Sequence, residues 1–261
     1  MKVLVTGGAG FIGQNLVKRL IGQNNEVIVL DDLSAHNPQS RHNFLVKGSV
    51  TDRGLIDTIV KQVGVIFHLA VRTMALSTQR PEDDLLVSVA GTLNILRAAQ
   101  KYGVPVVYTS SSAVYGNSQP PFKESGPIDL LTPYASGKFA AEGYCQAFRD
   151  VPISIVRLTN VYGPYQYPQN PYCGVIARFM QQAAREIPLT IYGSGEQTRD
   201  FTYVEDVVDA LLLAQEKGVG QIINVGTGIE TSIFQLARTV GRLVGFQEMT
   251  FGASRDIDLI L

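Results

Sequence analysis

The chain has 261 residues, 45% hydrophobic and 17% charged, which is ordinary globular composition and enough length for one large domain with a smaller satellite. Lys and Arg number 22 against 23 Asp and Glu, a formal charge of −1, so no basic field exists to hold a nucleic-acid backbone or an anionic membrane. Cys145 and Cys173 fall in no metal-ligand spacing and read as reduced thiols, and with no leader-like run ahead of the first strand and no membrane-length apolar run the expected location is the cytoplasm.

Val3–Thr6 reads as the first strand, and Gly7-Gly8-Ala9-Gly10-Phe11-Ile12-Gly13 follows it directly and opens a helix over Asn15–Ile21. Val27–Leu30 reads as a second strand ending in Asp31 and Asp32. Further strands are expected at Phe44–Val46, Val65–Leu69, Val104–Ser110 and Ile153–Leu158, with amphipathic helices over Leu85–Gln100 and Tyr134–Arg149. This alternation is that of repeated βαβ units, so the predicted class is α/β with a doubly wound parallel sheet. After Gly163 the rhythm breaks: Pro164, Pro168 and Pro171 are interleaved with Tyr162, Tyr165, Tyr167 and Tyr172. A second, smaller region is expected from there, with a helix over Val175–Glu186 and a strand at Leu189–Tyr192, before Val204–Gln215 and Ile222–Val225 rejoin the parent sheet. The predicted organisation is therefore a nucleotide-binding domain of residues 1–164 plus 201–227, and a substrate region of residues 165–200 plus 228–261.

The glycine loop sits where a dinucleotide-binding turn must, between strand and helix. Gly7 permits the tight turn, Gly10 lets backbone approach a pyrophosphate, Gly13 allows the helix to pack closely, and Phe11 and Ile12 complete the turn. The helix N-terminus then faces the phosphates with its partial positive charge. Asp31 lies 18 residues beyond Gly13 at the end of the second strand, with Asp32 beside it. Its carboxylate can accept both hydroxyl protons of an adenosine ribose and would repel a 2′-phosphate, so NAD is expected rather than NADP.

Tyr134 and Lys138 stand at i and i+4, on one face of a helix whose first turn Thr132 and Pro133 suit. A free phenol, with a pKa near 10, is a poor base at neutral pH. A neighbouring ammonium, together with a positive nicotinamide ring, is expected to favour the phenolate and make Tyr134 a general base.

The Gly-x-x-Gly-x-x-Gly spacing within Thr6–Gly13, the serine-rich strand end Thr109-Ser-Ser-Ser-Ala-Val-Tyr-Gly116 and Tyr134-Ala-Ser-Gly-Lys138 resemble the extended short-chain dehydrogenase/reductase family of sugar-nucleotide epimerases and dehydratases. Phe67-His68-Leu69-Ala70, Arg157-Leu-Thr-Asn-Val-Tyr-Gly-Pro164, Pro188-Leu-Thr-Ile-Tyr-Gly193 and Gln197-Thr-Arg-Asp-Phe201 extend the likeness over nearly the whole chain. The resemblance implies that Ser111 is the catalytic hydroxyl, with Ser112 beside the substrate and Ser110, Leu69 and Ala70 at the cofactor. It also implies that Asn160 meets a nucleotide sugar and that Arg199 holds its diphosphate. His68 reads as a satisfied strand-end histidine, and Arg157 and Asp200 as structural.

The chain departs from the family at several points. Val71 stands for a second Ala, Ser88 for an Asn expected at the cofactor, and Ser49 for an acid near the adenine, whose contact then rests on backbone and Val50. The chain ends at Leu261, after Arg255-Asp256-Ile257-Asp258, where relatives usually continue, so the substrate region is expected to be incomplete.

The implied activity is a nucleotide-sugar 4-epimerase of the UDP-hexose type, in which C4 is oxidised transiently and its hydride returned. Alternatives are a 4,6-dehydratase, a decarboxylase or a reductase of the same family, and a non-catalytic NAD-sensing regulator. A dehydratase typically has Asp-Glu after the catalytic hydroxyl residue, and a decarboxylase a Glu at the second of those positions, where this chain has Ser112 and Ala113. Relatives pair through the helices matching Leu85–Gln100 and Tyr134–Arg149, so a homodimer is expected.

Overall fold

Strands whose residues are apolar on both faces can be buried only in a sheet that is covered on both sides. The computed structural model of the chain, which describes residues 1–34, 44–168 and 174–254, has such a sheet. Pro171, Tyr172, Cys173 and the end from Arg255 to Leu261 lie outside the described residues.

The elements begin with β1 (Lys2–Thr6), α1 (Phe11–Gly22), β2 (Glu26–Asp31), β3 (Leu45–Lys47), α2 (Arg53–Val60) and β4 (Val65–His68). Two short helices, α3 (Met74–Gln79) and α4 (Pro81–Asp84), lead into a π-helical segment, Leu85–Gly91, and then α5 (Thr92–Tyr102). β5 (Val106–Ser111) enters a 3-10 turn, Ser112–Tyr115, and is followed by α6 (Pro133–Ala147), β6 (Ile153–Leu158) and β7 (Asn160–Tyr162). The rest is α7 (Val175–Ala184), β8 (Leu189–Tyr192), β9 (Thr198–Tyr203), α8 (Val204–Lys217), β10 (Ile222–Val225), β11 (Glu230–Ser232), α9 (Ile233–Val244) and β12 (Met249–Gly252).

Seven strands form one parallel sheet in the order β10-β6-β5-β4-β1-β2-β3. The winding direction reverses between β1 and β4, and such a switch point opens a crevice at the carboxyl ends of the strands. Leu4, Ile66 and Tyr108 pack one face of the sheet against Ile95 and Leu96 of α5 and Ala141 of α6. Val5, Phe67 and Val107 pack the other against Leu16 and Val17 of α1 and Val207 and Leu211 of α8. A third core joins Phe179 of α7, Leu189 and Ile191 of β8, and Leu236 and Val240 of α9. It is assembled from chain on both sides of α8 and β10. Two small sheets complete the fold, β11-β9-β7 and the parallel pair β12-β8.

The single helix expected over residues 85–100 is corrected. Its first seven residues are π-helical, turning Val87, Ser88 and Gly91 inward and leaving Leu85 and Leu86 at the surface. Two polar groups are fully enclosed by the main sheet. The Arg157 guanidinium forks onto Glu142, Nε donating to Oε1 at 2.9 Å and Nη2 to Oε2 at 2.6 Å, while Nη1 donates to the Tyr115 hydroxyl at 2.7 Å. Both side chains are almost wholly buried. The His68 ring is held between the hydroxyls of Thr6, 2.7 Å from Nδ1, and Thr92, 3.0 Å from Nε2.

Removing one member of the buried pair strands the other charge. Glu142→Ala should therefore lower unfolding stability by about 3–5 kcal/mol in denaturant titration, while Glu142→Leu with Arg157→Met should lose clearly less. Burial first, and then the Lys138 charge, push the His68 pKa down from 6.5 to about 3. Between those values the unfolded chain binds a proton that the folded chain refuses, so stability rises with pH across the window. The contribution is complete above pH 6.5 and is lost as pH falls towards 3. Thermal melts should show this decline, and His68→Gln should flatten it.

Candidate active site

A cleft of about 1570 Å3 follows the carboxyl edge of the sheet across the switch point, more space than one ordinary small ligand occupies. Its floor is the glycine loop. Gly7 has φ +69°, and a Cβ there would stand 2.8 Å from the Ala70 backbone nitrogen. A Cβ on Gly13 would stand 2.3 Å from the Gly7 carbonyl oxygen, so α1 can reach the loop only through a glycine. Gly10 caps α1 without a side-chain acceptor, and no acid sits in the first turn. The amides at that end are therefore available to an anion. Gly7, Gly10, Phe11, Ile12 and Gly13 all line the cleft.

Asp31 ends β2 with both carboxylate oxygens on backbone, accepting from the Ala9 amide at 3.0 Å and the Leu33 amide at 2.8 Å. Burial raises its pKa and those two amides oppose the rise. Each oxygen keeps lone pairs for a further donor, and Asp31 faces the cleft. Asp32 is engaged by Arg72 at 2.9 Å, and the same guanidinium donates to the Ser34 hydroxyl. This clamp between the loops after β2 and β4 has no short sequence motif that could have announced it. Leu69 and Ala70 border the cleft, as do Ser49, whose hydroxyl accepts from Thr51, and Val50, whose carbonyl accepts from Asn94. Ser88 does not reach the cleft, contrary to expectation. The π segment buries it, and its hydroxyl donates to Asp84 Oδ1 at 2.9 Å.

The reactive groups meet at the end of β5. Thr132 caps α6 by accepting from the Ala135 amide at 3.1 Å, Pro133 takes the first turn, and the half-buried Tyr134 faces the cleft from there. The Ser111 hydroxyl accepts from the Ala113 amide at 3.2 Å, and Ser111 and Tyr134 line the same cleft. One turn on, Lys138 is 2% exposed, and its Nζ donates to the Thr109 carbonyl at 2.6 Å. Burial pushes the phenol up to about 12, opposed by Ser111, and pushes the ammonium down to about 8, opposed by Asp84 and Glu142. In the chain without cofactor, desolvation outweighs any acidification of Tyr134 by Lys138, whose Nζ is turned to Thr109. Ser112 lines the cleft, and so does Ser110, whose Oγ is buried with no hydrogen-bond partner. An orphaned hydroxyl beside an open helix N-terminus and a glycine cradle suits a dinucleotide, which supplies both phosphates and polar ring substituents.

Asn160, on β7, and Arg199, on β9, line the outer part of the cleft, and Arg199 Nη1 donates to the Thr198 carbonyl at 2.7 Å. Asp200 is turned to the Thr227 hydroxyl at 2.7 Å and the Gly228 amide at 2.8 Å, where it braces a loop. Among the described residues the acids that line the cleft are Asp31, Asp32, Asp200 and Glu230, and none belongs to the turn that follows Ser111. Among the described residues no helix is long and apolar enough to cross a membrane.

Known proteins share this arrangement. Residues 3–226 match the model of the NAD dependent epimerase/dehydratase family. The chain is 39% identical to a UDP-glucose 4-epimerase of Mycolicibacterium smegmatis, over 94% of this chain and 83% of that one. It is 36% identical to a UDP-N-acetyl-alpha-D-glucosaminuronate decarboxylase of Bacillus cytotoxicus, over 93% of this chain and 80% of that one. The crystal structure of a UDP-glucose 4-epimerase from Thermotoga maritima with UDP-glucose superposes with a TM-score of 0.95 at 33% identity, covering 100% of this chain and 88% of that one. Fold, glycine loop and family match agree: the chain belongs to the NAD dependent epimerase/dehydratase family, and its cofactor is NAD.

Proposed function

We propose that the chain is an NAD-dependent nucleotide-sugar 4-epimerase of the UDP-hexose type. The observation that carries this reading is that Ser111 and Tyr134 line one cleft where Ser112 and Ala113, rather than acids, follow Ser111. Loss of water across C5 and C6 needs a proton donor and acceptor beside that pair, and neither Ser112 nor Ala113 is one. Oxidation and reduction at C4 need only the phenol and the hydroxyl.

Gly7, Gly10, Gly13 and the α1 amides hold the pyrophosphate of NAD in this reading, Asp31 the adenosine ribose, and Lys138 the nicotinamide ribose. When bound, NAD would supply a cationic ring that favours the phenolate and a reversible acceptor for the C4 hydride, so that net redox is zero. Tyr134 accepts the proton of the sugar 4-hydroxyl, and Ser111 donates a hydrogen bond to the oxygen as it becomes a carbonyl. The ketosugar then presents its other face, and Tyr134 returns the proton to the oxygen. Arg199 and Asn160 hold the nucleotide end. A second copy of the chain is the proposed partner, through Leu85, Leu86 and Tyr144, which are exposed on the π segment and α6. Sedimentation should then give a dimer, and a monomer at every concentration would count against it.

The role of Asp31 predicts NAD binding at least about tenfold tighter than NADP in calorimetry, with Asp31→Asn narrowing the gap. Tyr134→Phe should keep NAD while losing turnover of UDP-glucose by roughly a hundredfold or more. Substrate carrying deuterium at C4 should yield C4-epimer that retains the label, with no free NADH accumulating. A 4-keto-6-deoxy product, a decarboxylated one, or label lost to solvent would sink the assignment.

A further inference from the structure

Asp84 is a buried carboxylate to which the reaction above gives no task. It ends α4 at 1% exposure, and its Oδ1 accepts from Ser77 at 2.8 Å and from Ser88 at 2.9 Å. Its other oxygen rests on α6, where a Cβ built on Gly137 would stand 2.3 Å from Oδ2. Gly137 is three residues after Tyr134 and one before Lys138. Positions i, i+3 and i+4 share a helix face, so the carboxylate is seated on the face that carries both proposed reactive groups. A larger residue at 137 would hold it off.

A buried carboxylate is tolerated only with hydrogen bonds and an opposite charge. The cations acting on Asp84 are Lys138 and Arg72, and Arg72 is already held by Asp32 and Ser34. Lys138 has two acids about it, Asp84 and Glu142, and Glu142 is already forked onto Arg157. The two remaining members of these sets are Asp84 and Lys138. We propose that Asp84 is a positioning residue: seated on Gly137, it is the counter-charge that keeps the Lys138 ammonium charged inside the protein and sets the field at Tyr134. This rests on the catalytic reading of Tyr134 and Lys138 given above.

The surroundings make the role measurable. Lys138 faces His68 from β4, whose pKa is about 3, and Tyr108 from β5, whose phenol is held well above its ordinary value. On α6 it has Cys145, pushed up to about 12, and Glu142, which is paired with Arg157. His68, Tyr108 and Cys145 are each pushed by burial away from neutral pH, whereas burial draws the Lys138 ammonium down to about 8. The Asp84 charge raises the pKa of both Lys138 and Tyr134. Removing it must therefore move both downward.

Asp84→Asn keeps the shape and an acceptor for both serines. The NAD-loaded variant, assayed with UDP-glucose, should show both limbs of its kcat/KM profile displaced to lower pH by on the order of one unit, with the alkaline side losing most activity. A readout independent of turnover is the carbon NMR titration of the Lys138 side chain, assigned by its loss in Lys138→Ala, which should have its midpoint lowered likewise. A purely structural role would reduce activity at every pH without moving limbs or midpoint, and that result overturns the proposal. If Asp84→Asn does not fold, Gly137→Ala tests the same point by pushing the carboxylate off α6, with a smaller displacement in the same direction; fixed limbs and midpoint there overturn the proposal too. Turnover surviving in Tyr134→Phe and Lys138→Ala would instead bring down the catalytic reading itself.

Discussion

Helix α6 carries Lys138 and Glu142 one turn apart, and both side chains lie inside the protein. Desolvating two ions costs several kcal/mol each unless each finds a partner, so α6 can dock on the sheet only in the rotation that satisfies both. That rotation gives Lys138 the Thr109 carbonyl of β5 and Glu142 the Arg157 fork of β6. Ser110 lies beside Arg157 in the register of those strands, so the sheet itself sets the spacing of the two anchors. One turn towards the N-terminus the same face delivers Tyr134 to Ser111. The placement of the phenol thus follows from charge burial below it more than from anything that touches it in the cleft.

Burial also sets the resting character of the site. It holds the phenol protonated and draws the ammonium towards neutrality, so the pair carries little charge beyond that of Lys138. A site in this condition responds strongly to added charge, because charges held among buried groups are screened less than charges in water. The neighbouring carboxylates are tied down, Glu142 by arginine and Asp84 by two serines.

The parts of the fold that were legible in the sequence are those in which one local rule suffices. The glycine loop, the acid after Val27–Leu30 and the Tyr134–Lys138 spacing each combine a fixed interval with a flanking element, and the structure brings their residues to one cleft. Strands such as Val65–His68 are apolar on both faces and cannot be mistaken for surface. The three-residue strands Asn160–Tyr162 and Glu230–Ser232 offer no alternation to read, and they exist only because Thr198–Tyr203 pairs with both. Ser88 went astray for a related reason. Its neighbours keep an amphipathic spacing, but the change of helix type beneath that spacing turns the hydroxyl inward to Asp84. The Arg72 clamp and the Asp84 seat join segments far apart in the chain, and no interval in the sequence encodes them.

The π segment Leu85–Gly91 separates α4 from α5 by seven residues and carries two leucines at the surface, which gives it the look of an expendable stretch. Its length is in fact a phase setting. Each residue of a helix advances the backbone by about 100°, and a stretch with i to i+5 bonding accommodates a count that a plain α-helix would not. With α5 fixed by Ile95 and Leu96 in the core, adding a further residue between 85 and 91, with no second π turn to absorb it, would swing Asp84 by about 100° off Gly137. Substitutions at Leu85 or Leu86 leave that phase alone, so this part of the chain should tolerate a change of residue far better than a change of length.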